Sequence, residues 1–306
     1  MKELLVERET MESNELPAVP SNNLFDASDS WDIVITGKHS LLDFGIGELW
    51  RYRDLLLMFI KRDVVTVYKQ TILGPIWFVV QPILTSLTYI IIFGKIAGIS
   101  TDGIPPLLFY LSGITLWTFF SDSFNNTSKT FKDNEAIFGK VYFPRLIVPL
   151  SKIASGLIKF GIQFLLFLLV YLYYMQTDYA VVPNWTIAFI PLLLILMAGM
   201  GLGAGIIFTA LTNKYRDLTF LIQFGVQLFM YATPVIYPVS TIPEQYKKLI
   251  LLNPISPIME AFKYSLLGAG SFDWFYLGYS SLFTIVLLLV GIVVFNKTEK
   301  TFMDTV

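Results

Sequence analysis

Lys152, Ser155, Lys159 and Gln163 recur every three or four residues, so they share one face of a helix. Two amines, a hydroxyl and an amide can hold an anion, but they supply no paired nucleophile and base. Asp122 is the other titratable group inside an apolar run, and ionisable groups in such runs are functional candidates by default. The lysine row has two readings. In one, Lys152 and Lys159 reach out to lipid phosphates and simply solvate the end of a long helix. In the other, they admit an anionic, lipid-linked substrate.

Other chemistries lack their residues. The chain has no cysteine and one histidine, His39, which removes thiol nucleophiles and makes a Cys- or His-built metal centre untenable. Gly37-Lys38, Gly94-Lys95 and Gly139-Lys140 are not followed by Ser or Thr and lack the upstream Gly of a phosphate-binding loop. Nucleotide energy, if used, must come from another chain. The loops hold no clustered acid–base set, which disfavours an acyl- or glycosyltransferase. A formal net charge of −1 gives no reason to expect nucleic acid.

The elements that position these residues are apolar. The 306 residues are 55% hydrophobic and 15% charged, with a mean hydropathy of +0.63, which requires lipid as the main solvent. Six segments meet or approach the ~20 residues of a spanning helix: 72–98, 104–128, 146–175, 184–211, 218–238 and 274–296. Thr233-Pro234 and Tyr237-Pro238 break the end of the fifth. Lys and Arg collect before the first span, after the second and fourth, and in the tail, whereas 99–103 and 176–183 have none. The expectation is six spans in the cytoplasmic (inner) membrane with both termini cytoplasmic.

Residues 1–30 carry seven acids against two bases and read as a disordered cytoplasmic tail, followed by a cytoplasmic segment, 31–71, and a six-span domain, 72–306. "WDIVIT" (31–36) reads as a short strand. Within 48–71 an apolar stripe from Leu49 to Tyr68 recurs at helical spacing, with Arg51, Arg62 and Lys69 off it and Arg53 among the same cations. That pattern predicts an amphipathic helix in the interface. Residues 243–252 and 257–267, split by Asn253-Pro254, are apolar but too short to span. They predict a re-entrant outer hairpin, serving either as a cap or as a gate.

Gly199, Gly201, Gly203 and Gly205 predict close helix packing in the fourth span. Aromatic residues are frequent in the spans, among them Trp77, Phe224 and Tyr231. Most suit a belt or core. Lining a pore, they would stack on sugar rings while Gln81, Gln223 and Gln227 bond to hydroxyls.

Four stretches carry a resemblance: "FIKRDVVTVYKQTILGPIWFVVQP" (59–82), "KVYFPRLIVPLSKIASGLIKF" (140–160), "YRDLTFLIQFGVQLFMYATPVIYPVSTIP" (215–243) and "LNPISPIMEAFKYSLLG" (252–268). In this order and spacing the chain resembles the membrane subunit of bacterial ABC exporters for O-antigen, capsular polysaccharide and teichoic acid. Val67, where that family often has a basic residue, and the acidic tail depart from it.

The resemblance implies a homodimer with two copies of an ABC ATPase, which would hold ATP and Mg, this chain itself carrying no cofactor. It implies an undecaprenyl-diphosphate-linked glycan moved through a pore between the two permease chains. It also implies an interface helix at 48–70, a coupling helix at 130–141, and external gate helices at 243–267 with Pro234, Tyr237, Pro243, Asn253 and Pro254 at their joints. On this reading Lys132, Asp133, Glu135, Lys140 and Arg145 give polar contacts to the ATPase, and Phe131, Ile137, Phe138, Tyr142 and Phe143 give apolar anchors. An exporter of drugs or ordinary lipids on the same fold is the rival.

Overall fold

The computed structural model describes residues 46–69, 74–177, 183–215 and 217–303. The expected tail at 1–30, the strand at 31–36 and the boundary at 71–72 lie outside them. All described regular structure is helical, as lipid demands of chains whose backbone groups must pair within their own segment.

Two helices precede the first span: α1, Ile46–Arg51, and α2, Arg53–Lys69. A 3-10 turn, Gly74–Ile76, opens that span, and α3, Trp77–Tyr89, passes into a π-helix, Ile90–Ile96. The rest are α4, Pro106–Thr127; α5, Thr130–Phe138; α6, Ile147–Met175; α7, Ile190–Lys214; and α8, Leu218–Tyr231. Two shorter helices, α9, Glu244–Leu252, and α10, Ile255–Leu267, precede α11, Trp274–Met303.

Four of the expected spans are helices long and apolar enough to cross a membrane: Gly74–Ile96, Ile147–Met175, Trp185–Thr212 and Trp274–Thr298. The other two differ for physical reasons. At 22 residues α4 is about 33 Å long, yet it carries Ser112, Thr115, Asp122, Ser123, Asn125 and Asn126. It packs on α3, α6, α7, α8 and α10, so it needs no lipid-soluble surface. With 14 residues α8 extends only about 21 Å and stops at Tyr231, before the Thr233-Pro234 break.

The packing core runs along α4, where Leu108, Tyr110, Leu111 and Leu116 are fully enclosed. Beside it, α7 is gripped from two sides through its glycines. A Cβ on Gly201 would stand 2.6 Å from the Ser123 side chain and one on Gly205 2.5 Å from that of Thr127, both on α4. On the opposite face, a Cβ on Gly199 or Gly203 would come within 2.7–3.2 Å of Thr284, Leu287 and Leu288 of α11. Each pair is spaced four apart, one helical turn, so close packing on α4 and α11 alternates along the row.

Candidate functional site

At the end of the bundle that carries α5, the helices α2, α4, α5 and α6 enclose a polar cavity of about 550 Å³. Lys152, Ser155 and Lys159 of the expected row line it, whereas Gln163 is fully buried one turn further along α6. The row is not a bare cationic surface. Lys152 Nζ stands 2.9 Å from Asp63 Oδ2, and Arg62 donates to Asp63 Oδ1 through Nε and Nη2 at 3.1 and 3.0 Å. Deeper in, Lys159 Nζ donates to Asp122 Oδ2 at 2.7 Å and lies 5.5 Å from the Phe78 ring centre.

With Asp133 on the rim, three cations face three carboxylates. Such partly exposed pairs, still reached by water, hold each other weakly, on the order of 1 kcal/mol. The cavity is therefore neutral at rest but can re-partner its lysines with an incoming anion of higher charge. Asp63 is the member that sequence reasoning missed. Its partner on α6 is 89 residues away, and only its position beside Arg62 hinted at a role.

Below the cavity, α5 shows two faces. Phe131 and Phe138 are buried in an aromatic cluster with Phe59, Phe143, Ile147, Val148, Ile206 and Phe295. Phe131 stacks on Phe295 of α11 with ring centres 5.0 Å apart, and Phe138 lies 5.7 Å from Phe131 and 5.8 Å from Phe143. The Arg145 guanidinium sits 5.3 Å over the Phe138 ring. Phe131, Phe138 and Phe143, expected as apolar anchors, and Arg145, expected as a polar contact, are thus buried in the protein. Lys132, Asp133, Glu135 and Lys140 are exposed, and Ile137 lines the cavity. Val141 and Tyr142, 59% and 57% exposed, are the large apolar side chains facing outward here.

The other expected residues lie apart from this cavity. Arg51, Arg53 and Lys69 are exposed on α1 and α2, leaving Arg62 as the interface-helix cation within it. Trp77 and Gln81 on α3, with Gln223, Phe224, Gln227 and Tyr231 on α8, are all exposed. Only Ile222, Val226 and Met230 of α8, one turn apart, are buried along its length beside Thr219. At the opposite end of α4, Pro234 is buried, Tyr237, Asn253 and Pro254 are half-buried, and Pro243 is exposed at the start of α9. Among the described residues no cluster of His, Asp or Glu could hold a metal.

Residues 54–267 match the ABC-2 type transporter family. An O-antigen export system permease protein of Klebsiella pneumoniae is 28% identical, covering 86% of this chain and 98% of the relative. A polysialic acid transport protein of Escherichia coli is 24% identical over 80% of this chain and 93% of its own. An inner membrane transport permease of the same species is 24% identical over 62% of this chain and 75% of its own.

Proposed function

The chain belongs to the ABC-2 type transporter family, and from that premise we propose that it is the permease half of an ATP-driven polysaccharide exporter in the cytoplasmic membrane. Two copies form the pore and two copies of a separate ABC ATPase, holding ATP and Mg, drive it. The cargo is an O-antigen-like or capsule-like glycan on an undecaprenyl diphosphate. Both termini lie in the cytoplasm, α4 and α8 complete six spans, and α9–α10 form the re-entrant outer gate.

The observation that carries the reading is the cavity in which three cations face three carboxylates. A diphosphate brings more charge than either Asp63 or Asp122, so it can take Lys152 and Lys159 from them at little cost. The exposed glutamines of α3 and α8, which lipid would penalise, suit a water-filled pore wall against a second copy. Relatives named for O-antigen export and polysialic acid transport point to the same cargo class.

The ATPase meets Lys132, Asp133, Glu135 and Lys140 with Val141 and Tyr142. Its stroke then divides. Through Phe131 it reaches Phe295 and α11, while the interface helix passes motion to α6 through Asp63 and Lys152. Co-purification with the ATPase, then deletion of the gene and assay of surface glycan, tests the proposal. Deletion should strand lipid-linked glycan on the cytoplasmic face; unchanged surface glycan would overturn the reading.

A further inference from the structure

Beyond Tyr231 the chain is unwound, and prolines at 234 and 238 remove two backbone donors. Carbonyls left unpaired at membrane depth are costly. Here each of five successive carbonyls has a partner. The Tyr231 carbonyl accepts from the Tyr237 hydroxyl at 3.0 Å, that of Ala232 from Asn253 Nδ2 at 3.2 Å, and that of Thr233 from Val235 N at 2.7 Å. Those of Pro234 and Val235 accept from Lys263 Nζ at 2.6 and 3.2 Å.

Lys263 is 2% exposed, and its ammonium also lies 3.8 Å from the Phe109 ring centre on α4. Gly113 makes room for it, since a Cβ there would come 2.7 Å from the Val235 carbonyl oxygen and 3.4 Å from Lys263 Cε. The rest of α10 is equally tied down. Every residue but Tyr264 is buried, Ser265 Oγ meets Thr186 Oγ1 at 2.9 Å, and Asn184 Nδ2 donates to the Tyr264 carbonyl at 3.0 Å. Its neighbour α9 is the reverse. It has no buried residue, and it borders an open cleft of about 590 Å³ shared with Gly98, Ser100 and Tyr237.

We propose that Lys263 is a positioning residue that pins α10 to the broken end of α8, so that α9 alone moves when the outer hairpin opens. This rests on the exporter reading and refines its gate. The hairpin is not one rigid flap. One helix is a fixed post belonging to the span, and the other swings over the cleft from Pro243 and Asn253.

Hydrogen exchange on the full chain assembled with its ATPase tests this. Backbone amides of α9 should exchange at least about tenfold faster than those of α10. In Lys263→Met, residues 231–236 and α10 should lose that protection while ATPase turnover persists and export falls. Equal exchange in α9 and α10, or unchanged protection in Lys263→Met, would sink the proposal. Should Lys263→Met fail to fold, Thr186→Cys with Ser265→Cys places a disulfide in an otherwise cysteine-free chain. Export that survives oxidation supports a fixed α10, whereas export halted by oxidation and restored by reduction overturns it. A complex exporting no glycan in either redox state refutes the functional reading instead, and the exchange pattern still decides the role of Lys263.

Discussion

Asp63 of α2 and Lys152 at the start of α6 stand 2.9 Å apart, which among the described residues is the one ion pair in the cavity that ties α2 to a span. Their side chains are 14% and 22% exposed, so the pair is neither wholly screened nor sealed from water. On the proposed function, this pair would break and re-form in each transport cycle.

Asp63→Asn should therefore slow export without dissociating the complex, because Lys152 loses its resting partner. The charge exchange Asp63→Lys with Lys152→Asp should restore part of the rate. A double-mutant cycle on stability should return a coupling of about 1 kcal/mol; a coupling near zero would mean the contact is incidental.

Glu135→Lys and Phe138→Ala should fail in different ways. Glu135 is exposed, so its charge reversal should leave the unfolding midpoint unchanged and abolish stimulation of the ATPase. Phe138 is 2% exposed inside the aromatic cluster, so its truncation should cost about 3–5 kcal/mol of stability. Thermal unfolding in detergent beside ATPase assays separates the two.

Gly205→Ala should destabilise the bundle by about 1–3 kcal/mol, since the added methyl would collide with Thr127 on α4. Gly161→Ala on α6 meets nothing within 4 Å. It should be neutral or gain up to about 1 kcal/mol in helix propensity. Chemical unfolding of the two variants side by side checks the contrast.

Burial pushes the Lys263 ammonium down to about 8, with Glu260 and Asp102 drawing it back up, while burial pushes the Glu260 carboxyl up from its ordinary value. Because the folded value of Lys263 lies below the ordinary 10.5, the folded chain sheds this proton first. Stability should then climb as pH rises from about 8 towards 10.5 and level off above. Glu260 works the other way: its contribution is full below 4.5 and fades as pH passes its raised value. The high-pH climb should be absent from Lys263→Met in parallel melts.

The long spans were legible because apolar length dominates every other signal: the 146–175 run became Ile147–Met175 almost residue for residue. The prolines correctly marked where α8 ends. The π-helix at Ile90–Ile96 was not legible, since its wider winding leaves no distinct period in a uniformly apolar run. Nor could nine residues of α5 say which aromatic side faces protein and which faces a partner. Phe138 looked like an anchor and is core. Lys263 gave no sequence signal, because its carbonyl acceptors lie 28 and 29 residues earlier, beyond any local pattern.

The apolar stretch Trp274–Thr298 of α11 is 25 residues, about 37 Å against a hydrocarbon core of about 30 Å. A helix that overshoots its bilayer must tilt or thicken the lipid around it. Phe295, near the end of that stretch, is the surface on which Phe131 rests. Bilayer thickness should therefore bear on the seat of α5, so that liposomes of longer or shorter acyl chains change how strongly the ATPase is stimulated.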